Sequence, residues 1–239
     1  MKSYLQALPL LLASVPLSTA TIPPITSCLS CLKPIHCDNV GWDWAYYSNP
    51  LTDSGEGYPG FRADVYKTRQ PLYTGVTPSI GGHLGLTATS PDVTTFYGST
   101  EELNATHFAI NHHAYLYACE NGSYQFDITY VDDAVFAWVG ETAYSGWTDA
   151  NRDAKAAWTP HGDWHSGSAS FRKDLEIGSF NPLRFVFGNG QGGGAFNLTI
   201  TSPSGVIVHQ SGQDSDYIVR YSCDLKISAP EFPAFGAET

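Results

Sequence analysis

Tyr124-Gln125-Phe126-Asp127-Ile128-Thr129-Tyr130, then Val131-Asp132-Asp133, then Ala134-Val135-Phe136-Ala137-Trp138-Val139-Gly140 is the stretch that decides the fold. Two runs of aromatic and β-branched residues flank a pair of aspartates, and Glu120-Asn121-Gly122 makes a turn before them. Similar short runs recur outward from this centre: Tyr115 to Cys119, Leu183 to Phe187, Phe196 to Ile200, Val206 to His209 and Tyr217 to Tyr221. Gly, Pro, Asn, Asp and Ser clusters separate them. Seven or more short strands in one chain predict an all-β fold, an antiparallel sandwich or barrel. Only Thr148 to Trp158 reads as a short helix.

The composition of the 239 residues agrees. Charged residues are 15% and aromatics 13%, and the single Met argues against a helical bundle. A formal charge of -11, with no Lys/Arg cluster, excludes a nucleic-acid groove and an anionic-membrane patch. Residues 1–20 read as a signal peptide: Lys2, an apolar run from Leu5 to Leu17, then Ser18 and Ala20 as small residues before cleavage. Pro9 and Pro16 break that run, so membrane insertion is not expected. Sequons at Asn104, Asn121 and Asn197 fit a secreted glycoprotein, extracellular or associated with a cell wall. Of the five cysteines (Cys28, Cys31, Cys37, Cys119, Cys223) one is left over if two bridges form. Cys37 with Cys223 is the pairing expected, as a clasp around the aromatic-rich body. The expected organisation is a Cys- and Pro-containing arm over 21–37, one domain over 38–227 and a patternless tail over 228–239. The tail lacks the hydrophobic stretch of a lipid-anchor signal and no Ser/Thr-rich stalk is visible, so a soluble module, or one attached through a partner, is expected.

Adjacent strand residues point to opposite faces. Asp132 and Asp133 therefore serve one site only if the chain bends or the peptide between them is cis, and a hard cation such as Ca2+ is the natural ligand of both. The plain alternative is a solvated Asp-Asp turn. A second segment, Gly188-Asn189-Gly190-Gln191-Gly192-Gly193-Gly194, has glycines that free main-chain carbonyls to turn inward, with the Asn189 side-chain oxygen beside them. Its alternative is a flexible hairpin tip. It lacks the Lys/Ser pair of a phosphate loop.

Together these segments resemble the GLEYA family of fungal adhesin domains, within the lectin-like β-sandwiches related to anthrax protective antigen and the flocculins. The resemblance runs through Gly41-Trp42-Asp43-Trp44-Ala45, the Gly122 to Ala143 stretch, and Pro182-x-Arg184-x-Val186 leading into the glycine loop, with Pro203-Ser204-Gly205 after it. It implies a single β-sandwich of that type and calcium-dependent carbohydrate binding without catalysis. The implied metal ligands are Asp132, Asp133 and Asn189, with Gln191 and Gly193 at the positions that give main-chain carbonyls. Sugar hydroxyls from cell-surface or cell-wall glycans would meet Asp132, Asp133, Asn189, Gly190 and Gly192. The glycine-rich second loop departs from the flocculins, whose loop carries larger side chains, and this leaves the sugar open. Arg184 is expected to be structural.

Trp147 and Trp164 sit in polar surroundings and are the expected sugar platforms. His161 and His165 have metal-ligand spacing but read as a surface loop, and His112 and His113 split across strand faces. A single site of this kind binds sugars weakly, about millimolar, so multivalent display would supply adhesion. Two other readings stand beside it. One is a secreted glycoside hydrolase using Glu101, Glu102, Asp132 or Asp163, which nothing but adjacency supports. The other is a structural or protein-binding sandwich whose Ca2+ only stiffens loops.

Overall fold

A computed structural model of the chain describes residues 31–51, 55–85, 92–159, 166–224 and 229–238. The expected signal peptide, Cys28, and the His161, Asp163, Trp164 and His165 segment lie outside the described residues.

Among the described residues, fourteen strands, numbered in chain order, form two main antiparallel sheets of seven and five strands, the sandwich expected, and one short pair. The seven-stranded sheet runs β2 (Tyr73–Thr77), β1 (Trp42–Ser48), β6 (Phe108–Tyr117), β11 (Phe180–Asn189), β8 (Ala134–Val139), β9 (Ala154–Ala157), with β14 (Ile218–Val219) also on β6. The five-stranded sheet runs β10 (Gly167–Leu175), β7 (Gly122–Asp132), β12 (Gly193–Thr201), β13 (Ile207–Gln210), with β3 (Gly82–Gly85) also on β12. A short pair, β4 (Val93–Thr94) and β5 (Leu103–Asn104), stands apart.

The two sheets behave differently because one is covered on one face and the other on both. In β7, Tyr124, Phe126 and Ile128 are buried and the residues between them are more exposed, the period of a half-solvated sheet. Strand β8 is buried at all six positions. Val135, Ala137 and Val139 enter the core between the sheets, whereas Ala134, Phe136 and Trp138 join a second cluster with Tyr58, Phe61, Tyr66 and Trp147 on the outer face. His112 and His113 divide in the same way. His112 faces inward against Tyr97 and Phe196, and His113 faces outward between Phe232 and Phe235.

Two expectations change here. Thr148 to Trp158 is not a helix: a single 3-10 turn, Asp149–Asn151, is closed by a reciprocal Thr148/Asn151 cap, and Ala154–Ala157 then pairs as an edge strand with β8. Backbone pairing with β8 outweighs the weak local helix preference. The short helix is instead α1, Glu141–Tyr144. Residues 229–238 are not a patternless tail. Tyr115 donates its hydroxyl hydrogen to the Pro230 carbonyl at 2.9 Å, and Phe232 and Phe235 each stack on His113 at 4.2 Å. Glu238 reaches buried Arg184, Oε1 to Nη2 2.9 Å. Arg184 also donates to the Ala143 carbonyl and to Asn111 Oδ1, which accounts for its charge in a core strand. Disulfides join Cys37 to Cys223 and Cys31 to Cys119.

Candidate functional site

Strand β7 of one sheet ends at Asp132 and β8 of the other begins at Ala134; β11 ends at Asn189 and β12 begins at Gly193. Because β7 pairs with β12 and β8 with β11, these two crossovers between sheets lie side by side. The register confirms it: Ala195 is opposite Asp132, and Gly188 is opposite Ala134. Local sequence thus sets two turns, and sheet pairing brings them together.

The peptide between Asp132 and Asp133 is cis, and the two carboxyl groups lie within hydrogen-bonding reach of each other. Asp133 is 4% exposed. Its Oδ2 accepts the Gly190 amide hydrogen at 2.6 Å, and the Gln191 amide nearby favours the charged carboxylate. Burial raises both carboxyl pKa values above the ordinary aspartate range, and at Asp133 the neighbouring Asp132 raises it further against the two amides. The main chain of Asp133 is tied down by the Trp158 amide, which donates to its carbonyl at 2.7 Å.

Asn189 is fully buried, and its side-chain amide donates to the carbonyls of Thr106 and Gly192. That orientation leaves Oδ1 buried with no hydrogen-bond partner among the described residues. The Asn189 main-chain carbonyl accepts from Asn49 Nδ2 at 3.1 Å, and Asn49 in turn bonds Tyr58 and Tyr66. Gly194 makes room: a Cβ there would lie 2.6 Å from the Leu84 carbonyl oxygen and 3.0 Å from Asn189 Oδ1. Two crowded carboxylates, tied through the Gly190 amide to the residue after the orphaned Asn189 oxygen, offer an all-oxygen donor set. Buried polar atoms are rarely left unpaired, and a hard cation is the ligand that suits these donors. The residues fit calcium.

Asp132, Asp133, Asn189, Gly190 and Gln191 are therefore drawn together; Gly192 joins through its bond to Asn189, and Gly193 pairs with Gly85 of β3. Trp147 is not part of the site. It is fully buried in the outer cluster, 5.2 Å from Trp138 and 4.7 Å from the Arg184 guanidinium, because apolar burial outweighs its polar sequence neighbours. The exposed aromatic close to the pair is Tyr130, 66% exposed and two residues before Asp132. Thr106 and Asn49, which orient Asn189, carry no local signal; their contacts span 83 and 140 residues.

Residues 108–202 match the family model described as the GLEYA domain. Two Schizosaccharomyces pombe proteins named as cell agglutination proteins are similar. One is 29% identical over 77% of this chain and 16% of its own length, the other 26% over 81% and 33%. The chain thus spans a third or less of these relatives. Among solved structures, the A domain of epithelial adhesin 6 from Candida glabrata, in complex with Galβ1-3GlcNAc, aligns with TM-score 0.58 at 20% identity over 84% of this chain and 95% of that one. The A domain of epithelial adhesin 9 from the same organism, also in complex with Galβ1-3GlcNAc, aligns at 0.56 and 15% identity over 77% and 92%. At these identities the structures speak to fold. The crossovers, the Asp132/Asp133 pair and Asn189 all lie inside the segment, residues 108–202, that matches the GLEYA domain, the family that the sequence resembles.

Proposed function

We propose that this chain is a non-catalytic, lectin-like adhesin module, secreted or cell-surface, that binds terminal sugars of cell-surface or cell-wall glycans through calcium. The observation that carries this is the orphaned Asn189 Oδ1, one residue before the Gly190 amide that holds the buried Asp133 carboxylate. Asp132, Asp133 and Asn189 would hold the ion, with Gln191 and Gly193 giving main-chain carbonyls and Gly190 and Gly192 keeping the rim low. Bound calcium offers coordination positions that vicinal sugar hydroxyls can fill. The protein's own part is to fix the donors: the Gly190 amide orients Asp133, and Thr106 and Gly192 orient Asn189. The naming of the relatives as agglutination proteins, and the sugar complexes of the fold's neighbours, support this class of partner. Hydrolysis is disfavoured, because an acid/base carboxyl pair stands roughly 5–10 Å apart across a cleft and these two are adjacent.

Calorimetric titration with Ca2+, followed by Galβ1-3GlcNAc, tests the reading on the wild type and Asp133→Asn. The wild type should bind metal and then sugar, and the variant should bind neither while keeping its circular dichroism. Sugar binding that survives in the variant would contradict the proposal. One observation favours a second reading. The loop has glycine at 190, 192, 193 and 194 and so offers few side chains to a sugar. Metal binding that raises Tm without any glycan binding would select a structural role for the ion.

A further inference from the structure

We propose that Asn104 is a glycan attachment site whose glycan stands beside the candidate calcium site and limits which glycans reach it. The inference rests on the glycan-binding reading above and adds a modification that regulates the same site. Asn104 is exposed at the end of β5. Its Oδ1 accepts from the Thr106 amide and hydroxyl, both at 2.8 Å, and from the His107 amide at 3.3 Å. None of these bonds uses Nδ2, the atom that takes the sugar. The same Thr106 turns its carbonyl to the Asn189 side-chain amide. One residue therefore holds the sequon in shape and orients a metal donor. Two residues and one hydrogen bond separate the glycan root from Asn189, roughly 12 Å at most.

The sequon at Asn121 differs: it lies at the opposite end of the eleven-residue β7 from Asp132, roughly 35 Å away. Asn197 lies within β12, two residues past Ala195, the partner of Asp132, so Thr199→Ala, which removes only that sequon, is the control that separates its glycan from the one at Asn104. The disulfides Cys31–Cys119 and Cys37–Cys223 place the chain in an oxidising compartment, where attachment takes place. Attachment forms a bond from Asn104 Nδ2 to the anomeric carbon of a lipid-pyrophosphate oligosaccharide. The amide loses one proton and the lipid pyrophosphate leaves. The glycan adds bulk at the rim without touching a donor, so it screens branched ligands and admits small ones.

The test uses the full chain secreted from a glycosylating eukaryotic host. Peptide mass spectrometry reads occupancy at Asn104, and calorimetry reads Ca2+ and Galβ1-3GlcNAc affinity. A surface assay reads binding of a desialylated multiantennary glycoprotein before and after endoglycosidase trimming to one GlcNAc. We expect Asn104 to be occupied and both calorimetric affinities to be unchanged by trimming. Glycoprotein binding should rise severalfold on trimming and in Asn104→Asp, which removes the attachment nitrogen and keeps the oxygen that accepts from Thr106 and His107, but not in Ser123→Ala, which loses only the Asn121 sequon. An unmodified Asn104, or glycoprotein binding unmoved by trimming, overturns the proposal. A chain that binds neither calcium nor disaccharide in either form overturns the gating by overturning the site reading, and the occupancy measurement tells the two failures apart.

Discussion

Asn189 is held by what its amide nitrogen donates, and this makes a counterintuitive substitution informative. Asn189→Asp adds negative charge at a candidate calcium donor, yet it removes the two hydrogens given to the Thr106 and Gly192 carbonyls and sets a carboxylate oxygen against them. Metal affinity should fall rather than rise, as read by calorimetry; tighter binding would show that charge and not orientation governs the site. Asn49→Ala removes the donor to the Asn189 carbonyl and should weaken calcium binding by about tenfold to a hundredfold, the usual range for groups behind a metal ligand. At this scale, Asp132, Asp133 and Asn189 were legible because each lies in a short motif whose residue types already suit a hard cation. Thr106 and Asn49 were not, since only the folded chain brings them to Asn189. Trp147 misled for the same reason: its neighbours in sequence are polar and its neighbours in space are Trp138 and Arg184.

Among the elements, the crossover from β11 to β12 depends on a glycine more than on a side chain. Gly194→Ala would press a methyl on the Leu84 carbonyl, the Phe187 ring and Asn189 Oδ1 together. Overpacking of this kind costs about 1–3 kcal/mol, and the variant should lose both stability in a urea melt and calcium affinity. A neutral result would mean that β3 yields easily there. Strands β7, β8, β11 and β12 could be read from sequence because their aromatic and β-branched runs end at clear turns. The edge strand β9 could not, since the pairing that makes it a strand comes from β8. Strand β10 was also missed: its sequence, Gly167-Ser-Ala-Ser-Phe-Arg-Lys-Asp-Leu175, buries only its two ends.

For the molecule as a whole, the segment 229–238 and the buried histidines carry the main consequences. Glu238→Ala leaves the Arg184 guanidinium buried without its anion, a change that costs about 3–5 kcal/mol in comparable sites. Tm should drop clearly with no change in calcium affinity, because the segment packs at His113 and Arg184 and not at the crossovers. Two prolines and no periodicity hid this packing from the sequence; its anchors, Phe232, Phe235 and Glu238, are matched only by groups on distant strands. His209 is buried against Trp42, and burial pushes its pKa down to about 3. The folded state therefore holds it neutral, while an unfolded histidine titrates near 6.5. Its contribution is complete above that value and is lost as pH falls from there toward about 3. His209→Leu should accordingly show a shallower decline of Tm between neutral and acid pH than the wild type. Parallel declines would show that His209 is not held neutral.

The central claim is that two crossovers between the sheets build one calcium-dependent glycan site. The most direct measurement is a glycan array probed with the wild-type chain in calcium, the same chain in EDTA, and Asp133→Asn in calcium. The account predicts binding to a restricted set of terminal sugars in the first condition and none in the other two. Equal binding in calcium and EDTA, or an array empty in all three, would contradict it.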